Sequence, residues 1–149
     1  MAETDNARYD CLKIENQLCF PLYAASRALI RQYHPALSAL DLTYTQYVAM
    51  MALWESAPLS VKELGERLYL DTGTLTPLLK AMEQKGLIRR RRSEADERSV
   101  IVSLTDEGAA LREKALSVPA QVGGCIRLDA SRAQQLCGLL YELLDALEK

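Results

Sequence analysis

The spacing of apolar residues along this 149-residue chain predicts helices almost throughout, with a single change of period. Leu18, Leu22 and Leu29 lie four and seven positions apart, which is the spacing of one helical face. At residues 100–104 the pattern changes to alternation among β-branched side chains, and residues 87–92 supply a second short strand to pair with them. We therefore predict a mainly α-helical fold with one small β-hairpin.

Local signals predict where several helices begin and end. Residues 43–46 (TYTQ) and 60–63 (SVKE) both fit the capping box, in which a hydroxyl and a returning amide or acid bind the first backbone N–H groups. A further helix is predicted to begin between Thr72 and Thr74. It is predicted to end before Gly86, because glycine readily adopts the left-handed conformation that stops a helix.

Prolines and glycines divide the terminal helices. Pro21 predicts a kink or a new helix start between residues 17 and 21, because proline lacks a backbone donor and crowds the preceding turn. A helix opened by Thr105 is predicted to break near residues 119–124. A last amphipathic helix is predicted from about Ala130.

Two short helices joined by a tight turn and followed by a basic hairpin are typical of a winged helix-turn-helix. The second helix presents small polar residues that could enter the major groove of DNA, where hydroxyls reach base edges and phosphates. Arg98 lies at the hairpin tip, where it could enter the neighbouring minor groove. The candidate DNA-binding residues are Thr72, Gly73, Thr74, Thr76, Lys80, Arg89, Arg90, Arg91, Asp96 and Arg98.

The overall charge conceals a basic segment. The formal net charge is −2, but residues 85–98 hold six Lys or Arg against three acids, which gives +3 locally and leaves −5 on the other 135 residues. An isolated arginine run is more often a solvated strand face, and each threonine could be only a cap or surface residue. The ordered combination of helix, turn, helix and basic hairpin favours DNA binding.

Length and a 49% hydrophobic composition predict one compact domain. The first residues are acidic and polar, so no secretory signal is predicted, and no stretch approaches the ~20 apolar residues that span a bilayer. We expect a cytoplasmic protein with no membrane partner. His34 is the single histidine and no Cys-x-x-Cys occurs, so no metal site or cofactor is expected, and no catalytic residues are predicted.

The two ends of the chain point to a homodimer. A single DNA-reading domain covers one half-site, whereas a two-fold dimer reads two. The leucine stripe at 136–147 and the apolar face at 18–29 need a surface to bury against, and packing within the chain would account for part of it. We predict that residues 12–40 and 106–149 supply dimerisation helices and that residues 43–104 form the winged helix-turn-helix.

Four cysteines in a reducing compartment require an explanation. The usual role is a small buried hydrophobe, which we expect for Cys11 and Cys137. Cys19 differs because tyrosines lie near it in sequence, and phenol hydroxyls can donate hydrogen bonds to a thiolate. A thiolate attacks peroxides to give a sulfenic acid, which a second thiol can trap as a disulfide. Core packing is the commoner role for any one tyrosine; the candidate thiolate-stabilising residues are Tyr23, Tyr33 and Tyr44.

Five segments carry a family resemblance that covers nearly the whole chain. They are residues 15–20 (ENQLCF), 69–80 (YLDTGTLTPLLK), 82–87 (MEQKGL), 96–99 (DERS) and 104–108 (LTDEG). The last four resemble the multiple antibiotic resistance regulator (MarR) family in general. The first resembles the organic hydroperoxide resistance regulators (OhrR) within that family.

This resemblance implies a homodimeric repressor that binds operator DNA when reduced and releases it when an organic hydroperoxide oxidises Cys19. It also implies that Tyr33 and Tyr44 donate hydrogen bonds to that sulfur from the partner subunit, with Tyr23 nearby. Cys125 lies in the region of the second, resolving cysteine of such regulators, which implies a Cys19–Cys125 disulfide between subunits.

Three alternatives stay open. Cys11 or Cys137 could act as the resolving thiol in place of Cys125. The chain could be a MarR-type repressor that responds to an apolar or phenolic ligand in the dimer cleft, with inert cysteines. From a different class, it could be a thiol peroxidase-like enzyme with an incidental basic surface.

Overall fold

The computed structural model describes residues 8–147, in which helices predominate and a three-stranded antiparallel sheet has the order β1-β3-β2. The predicted mainly α-helical fold with a small β-hairpin is confirmed. The helices are α1 (Cys19–Ser38), α2 (Tyr44–Ser56), α3 (Val61–Leu68), α4 (Thr72–Gln84), α5 (Asp106–Ala115), α6 (Val118–Gly123) and α7 (Ala130–Leu147). The strands are β1 (Leu59–Ser60), β2 (Ile88–Arg92) and β3 (Val100–Leu104).

The first long helix begins later than its apolar spacing predicts. Two 3-10 turns, Asp10–Leu12 and Ile14–Asn16, precede it, and α1 begins at Cys19. Pro21 then lies in the first turn, where backbone N–H groups have no carbonyl partner within the helix, so its missing donor is tolerated. This is the new helix start predicted between residues 17 and 21.

Both predicted capping boxes are present. At the start of α2, Gln46 N–H donates to Thr43 Oγ1 at 3.2 Å, and Thr43 N–H donates to Gln46 Oε1 at 3.1 Å. At the start of α3, Glu63 N–H donates to Ser60 Oγ at 3.1 Å, and Ser60 N–H donates to Glu63 Oε2 at 2.8 Å. The hydrogen bonds from Ser60 lower the pKa of Glu63. These reciprocal bonds place the helix starts where the sequence predicts them.

A tight turn joins α3 to α4. Tyr69 adopts a left-handed conformation (φ 53°), and Asp71 Oδ1 accepts a hydrogen bond from Thr74 N–H at 2.8 Å. That backbone hydrogen bond is the main reason why the pKa of Asp71 lies below its usual value. After α4 ends at Gln84, Gly86 has the predicted left-handed conformation (φ 73°). The helix-turn-helix therefore has its predicted boundaries.

The sheet contains the predicted hairpin and one further strand that the apolar pattern does not predict. In the hairpin, Ile88 lies opposite Leu104 in an antiparallel register. The other edge of β3 pairs with β1, where Leu59 lies opposite Val102. A two-residue strand is too short to show alternation, so the apolar pattern cannot predict β1.

Two apolar clusters form the core, and α2 contributes to both. The first lies between α2, α3, α4 and the sheet, and its large members that are almost completely buried are Met50, Leu53, Leu64, Leu75, Leu79, Met82, Ile88 and Val102. The second lies where the end of α1 meets α2 and α6, and it contains Ala36, Leu37, Leu42, Tyr47, Ala115, Val118 and Val122. Trp54 packs against both clusters, and its Nε1–H donates to the Gly108 carbonyl at 2.8 Å.

The terminal elements bury little within the single chain. Leu18 is 69% exposed, and α7 has no buried residue among those described, so that Leu136 and Leu139 remain exposed. Covering apolar surface of this kind is favourable by about 25 cal/mol per Å². These faces suit the predicted dimerisation role, which stays a prediction. Within residues 8–147, no helix is both long enough and apolar enough to cross a membrane.

Gly108 lies where α5 passes against the turn that follows α4, and a Cβ atom built on it would stand 2.0 Å from the Leu87 carbonyl oxygen. We expect Gly108→Ala to lower the free energy of unfolding by about 1–3 kcal/mol or more, because one of the two backbones must move. Gly123→Ala is the matched control, since nothing lies within 4 Å of its Cβ position. Urea unfolding at one protein concentration measures both, and an unchanged stability for Gly108→Ala would contradict this close packing.

Candidate functional site

An open groove of about 910 Å³ lies between the helix-turn-helix and the hairpin. Its walls come from α3, α4 and the hairpin loop. The predicted DNA-binding residues that line it are Thr72, Thr76, Arg90, Asp96 and Arg98. The others on α4 are exposed outside the groove lining, and they are Gly73, Thr74 and Lys80.

The threonines of α4 are already engaged in local hydrogen bonds. The Thr74 hydroxyl donates to Asp71 Oδ2 at 3.1 Å, which reinforces the helix cap. The Thr76 hydroxyl donates to the Thr72 carbonyl one turn earlier at 2.8 Å. Both threonines are exposed, and each of these hydroxyl oxygens retains acceptor capacity.

The arginine run is divided between the two faces of β2. Side chains alternate along a strand, so Arg89 and Arg91 lie on the face opposite to Arg90. Arg89 and Arg91 are exposed, whereas Arg90 is partly buried and lines the groove. The predicted basic segment therefore presents its arginines on two different faces of the strand. Arg90 lines the groove together with Arg98.

Glu83 of α4 holds Arg90 in place. The Glu83 carboxylate accepts hydrogen bonds from Arg90 N–H at 2.9 Å, from Nε at 3.0 Å and from Nη2 at 2.8 Å. The side-chain hydrogen bonds, followed by the backbone one, hold the pKa of Glu83 below its usual value. The pair joins α4 to β2. It also neutralises the positive charge of Arg90, which the sequence predicts to contact DNA.

Asp96 orders the hairpin loop from which Arg98 projects. Its Oδ1 accepts from Arg98 N–H at 3.0 Å, and its carbonyl accepts from Ser99 N–H at 2.9 Å. Ser99 in turn accepts at its carbonyl from Ser93 N–H at 2.8 Å, which closes the loop. An acid among candidate DNA-binding residues is thus explained by local structure, since a carboxylate would repel phosphate.

Cys19 is exposed and is the first residue of α1. Tyr33 lies fourteen residues further along the same helix, about 21 Å away along its axis at 1.5 Å per residue. Tyr33 contacts Tyr44 at the start of α2 with ring centroids 5.0 Å apart. Burial, followed by the neighbouring Tyr33, raises the pKa of Tyr44. Within one chain, Cys19 and this tyrosine pair cannot touch.

Tyr23 is the predicted tyrosine that does lie near Cys19, one helical turn later on the same face of α1. Arg27, a further turn along, donates from Nη1 to the Tyr23 hydroxyl at 2.7 Å, and its guanidinium lies 5.3 Å from the ring centroid. The hydroxyl proton of Tyr23 remains available to another acceptor. Sequence reasoning missed Arg27, although its four-residue spacing from Tyr23 was a usable signal.

Cys125 is exposed in the segment between α6 and α7. Val122, three residues earlier, packs with Ala36 and Leu37 at the end of α1 that is remote from Cys19. A disulfide requires Cα atoms about 4.4–6.8 Å apart. In this conformation, a Cys19–Cys125 bond within one chain is excluded.

The expectation that Cys11 and Cys137 are buried is wrong for the single chain. Both thiols are exposed, Cys11 in the first 3-10 turn and Cys137 on α7. The physical reason is that neither element contributes a buried residue to the two core clusters. Exposure therefore does not separate these two cysteines from Cys125. Across residues 8–147, no group of three His, Cys, Asp or Glu side chains could hold a metal ion.

A helix-turn-helix followed by a basic hairpin defines the chain as a winged-helix protein. Residues 42–100 match the MarR family. The chain is 53% identical over 142 residues to the organic hydroperoxide resistance transcriptional regulator of Bacillus subtilis, which covers 95% of this chain and 97% of that protein. The chain belongs to the MarR family of transcriptional regulators, which are not enzymes, so the thiol peroxidase alternative is removed.

Structures of AbfR of Staphylococcus epidermidis share this fold. Reduced AbfR bound to DNA has a TM-score of 0.79 at 32% identity, with 95% of this chain and 96% of that chain covered. Overoxidised AbfR bound to DNA has a TM-score of 0.72 at 31% identity, with 92% and 98% covered. Disulfide-formed AbfR has a TM-score of 0.66 at 32% identity, with 97% and 99% covered. Of these three AbfR structures, the reduced one has the highest TM-score with this chain.

The Glu83–Arg90 pair predicts a pH dependence of stability with a definite sign. Because folding lowers the pKa of Glu83 from 4.5, its contribution is fully present above that value and is lost as the pH falls through the lower folded-state pKa. We expect Glu83→Gln to be less stable than the unaltered protein at pH 7, and the difference to shrink below a pH of about 4.

Urea unfolding of both proteins between neutral and acidic pH measures this difference. Glu113→Gln, at an exposed position of α5, controls for the loss of one negative charge. A difference between Glu83→Gln and the unaltered protein that stays constant over the whole pH range would refute the role of the ionised carboxylate.

Proposed function

We propose that the chain is a homodimeric repressor that binds operator DNA when Cys19 is reduced and releases it when an organic hydroperoxide oxidises Cys19. The observation that carries this proposal is the 53% identity to an organic hydroperoxide resistance regulator, with an exposed Cys19 at the start of α1. Residues 43–104 form the DNA-binding part in this proposal. Residues 12–40 and 106–149 supply the dimer interface.

The proposed chemistry has two steps. The Cys19 thiolate attacks the peroxide O–O bond, so that sulfur gains an oxygen as sulfenic acid and the alkoxide leaves as an alcohol after taking a proton. The thiol of Cys125 then attacks the sulfenic sulfur, which forms the disulfide and releases water. The hydroperoxide is the oxidant and is reduced to the alcohol.

The distances along α1 support a site shared between two subunits. Tyr33 and Tyr44 lie together about 21 Å along the helix from the Cys19 of their own chain. Cys125 follows α6, which packs against the same remote end of α1. A second copy in antiparallel contact along α1 would bring its Cys19 to the tyrosines and the resolving thiol together. Tyr23, held by Arg27, would be the donor from the cysteine's own chain.

The forms in which AbfR has been solved support disulfide formation as the release signal. Overoxidised AbfR is bound to DNA, and a disulfide form of AbfR is known as well. Overoxidation therefore does not by itself prevent DNA binding in that relative. For this chain we infer that the covalent link between subunits shifts the two winged helices apart, so that both half-sites can no longer be bound at once.

An apolar surrounding favours organic over inorganic peroxides. Leu18 and Phe20 flank Cys19 and are 69% and 42% exposed in the single chain. An alkyl or aryl group that covers such side chains gains roughly 25 cal/mol per Å² of buried apolar surface, which hydrogen peroxide cannot gain.

We expect cumene hydroperoxide to produce a dimer-sized band on a non-reducing gel, because the bond joins two chains. The band should be absent in Cys19→Ser and in Cys125→Ser, and present in Cys137→Ser and Cys11→Ser. Retention of the band in Cys125→Ser would transfer the resolving role to another cysteine. Operator affinity that is unchanged after complete oxidation would refute the sensor proposal whatever the gel shows.

Arg98→Ala should weaken operator binding by about 1–3 kcal/mol and reduce the salt dependence by about one charge, because its side chain projects from the ordered loop. The probe is a DNA duplex selected by the reduced protein from a random pool. Arg8→Ala, at an exposed position outside both the proposed DNA-binding part and the proposed dimer interface, controls for lost charge. Unaltered affinity and salt dependence in Arg98→Ala would assign Arg98 to the solvated surface.

A further inference from the structure

We propose that Lys85 is a positioning residue that couples the start of α2, and with it the redox-site tyrosine Tyr44, to the end of α4. This inference rests on the proposed function and names the contact through which oxidation would reach the DNA-reading helix. Lys85 is the residue that caps the C-terminus of α4. From the sequence alone, Lys85 is only one of the six positive charges of the basic segment at residues 85–98.

Lys85 reaches three acceptors outside the helix-turn-helix. Its ammonium donates to the Asp41 carbonyl, lies 3.2 Å from the Asp41 carboxylate and donates to Gln46 Oε1 at 3.3 Å. Asp41 follows α1 and adopts a left-handed conformation (φ 52°), which fixes the chain direction between α1 and α2. A single side chain at the end of α4 therefore contacts the junction of the two helices that carry Tyr33 and Tyr44.

Gln46 makes this contact specific. It is only 5% exposed, and the same Oε1 atom that binds Lys85 also accepts the Thr43 N–H of the capping box. That capping box fixes the start of α2, whose first residue is Tyr44. Any change that displaces Tyr44 and the start of α2 therefore also displaces an acceptor of Lys85. The Asp41 carboxylate is 88% exposed, so the ion pair itself is screened by water and contributes less to this positioning.

The turn that follows Lys85 is held from the opposite side by α5. The Thr105 hydroxyl donates to the Gly86 carbonyl at 2.6 Å, and Thr105 N–H donates to the Leu87 carbonyl at 3.2 Å. Gly108 leaves no space between α5 and Leu87. The turn at 85–87 is thus fixed to two elements outside the groove, so a movement of either moves α4 together with the hairpin that Glu83 ties to it.

Oxidation at a Cys19 that docks against Tyr33 and Tyr44 changes what these tyrosines contact. The start of α2 shifts with Tyr44, and Lys85 carries the shift to α4. Among the described residues, no other side-chain hydrogen bond joins the start of α2 to the end of α4, so without the Lys85 donors this coupling would depend on the apolar core.

The test compares operator affinity before and after treatment with cumene hydroperoxide in Lys85→Met, which keeps the aliphatic stem and removes the donors. The probe is the DNA duplex selected by the reduced unaltered protein. We expect the ratio of oxidised to reduced Kd to be about three- to tenfold smaller in Lys85→Met than in the unaltered protein. Mass spectrometry verifies equal oxidation of Cys19 in both.

Arg8→Met, at an exposed position before the first 3-10 turn and outside both the proposed DNA-binding part and the proposed dimer interface, controls for the loss of a positive charge. Lys85→Gln, whose shorter side chain cannot reach both acceptors, is the second variant. If Lys85 only stabilised the fold, its replacement would weaken operator binding by the reduced and the oxidised protein equally, and the Kd ratio would not change. An unchanged Kd ratio in either folded variant therefore overturns the role of Lys85 and leaves the proposed function standing. An unaltered protein whose affinity ignores oxidation overturns both.

Discussion

The length of α1 governs how redox chemistry can work in this chain. Cys19 begins the helix, whereas Tyr33 lies about 21 Å further along it, and the segment that carries Cys125 packs near the same remote end. No rotamer change bridges such a distance. A thiolate, its hydrogen-bond donors and a resolving thiol can meet only when two copies run alongside each other. In the proposed function, dimerisation and peroxide sensing therefore become one structural requirement, and the exposed apolar faces of both termini fit that proposal.

Three sets of contacts join the proposed DNA-reading part to the proposed dimerisation part and hold its hairpin. Trp54 of α2 packs against both core clusters and binds the Gly108 carbonyl of α5. The turn after α4 is held by Thr105 on one side and by Lys85 on the other. On the groove side, Glu83 fixes the hairpin to α4 through Arg90, so the hairpin and α4 move as one body. In a dimer, a rotation of this body would change the distance between the hairpins of the two subunits, while the internal structure of each hairpin would stay the same.

Sequence reasoning succeeded where the determining contacts are local. The capping boxes and the stop at Gly86 each depend on residues within about four positions of one another, so composition and order suffice. It failed where contacts span the fold. The Lys85–Gln46 hydrogen bond joins residues 39 positions apart. Which arginine faces the groove depends on strand register, and a shift of one residue would exchange the two faces.

The candidate redox site shows the same division. Cys19 and the tyrosines were identified through residue chemistry and family resemblance, but their separation along one helix emerges only with the structure. The burial expected for Cys11 and Cys137 was wrong because their elements pack outside both clusters of the single chain. A periodic apolar face indicates that a helix is covered. It does not indicate whether the covering surface belongs to the same chain.

Mixed dimers test most directly whether the site is shared between subunits. A Cys19→Ser chain and a Cys125→Ser chain, carrying tags of different mass, are mixed under conditions that exchange subunits and then treated with cumene hydroperoxide. The shared site predicts a single disulfide that joins the Cys19 of one chain to the Cys125 of the other, visible as a heterodimer-sized band that neither variant gives alone. A complete absence of that band, with subunit exchange verified, would contradict a redox site built from two chains.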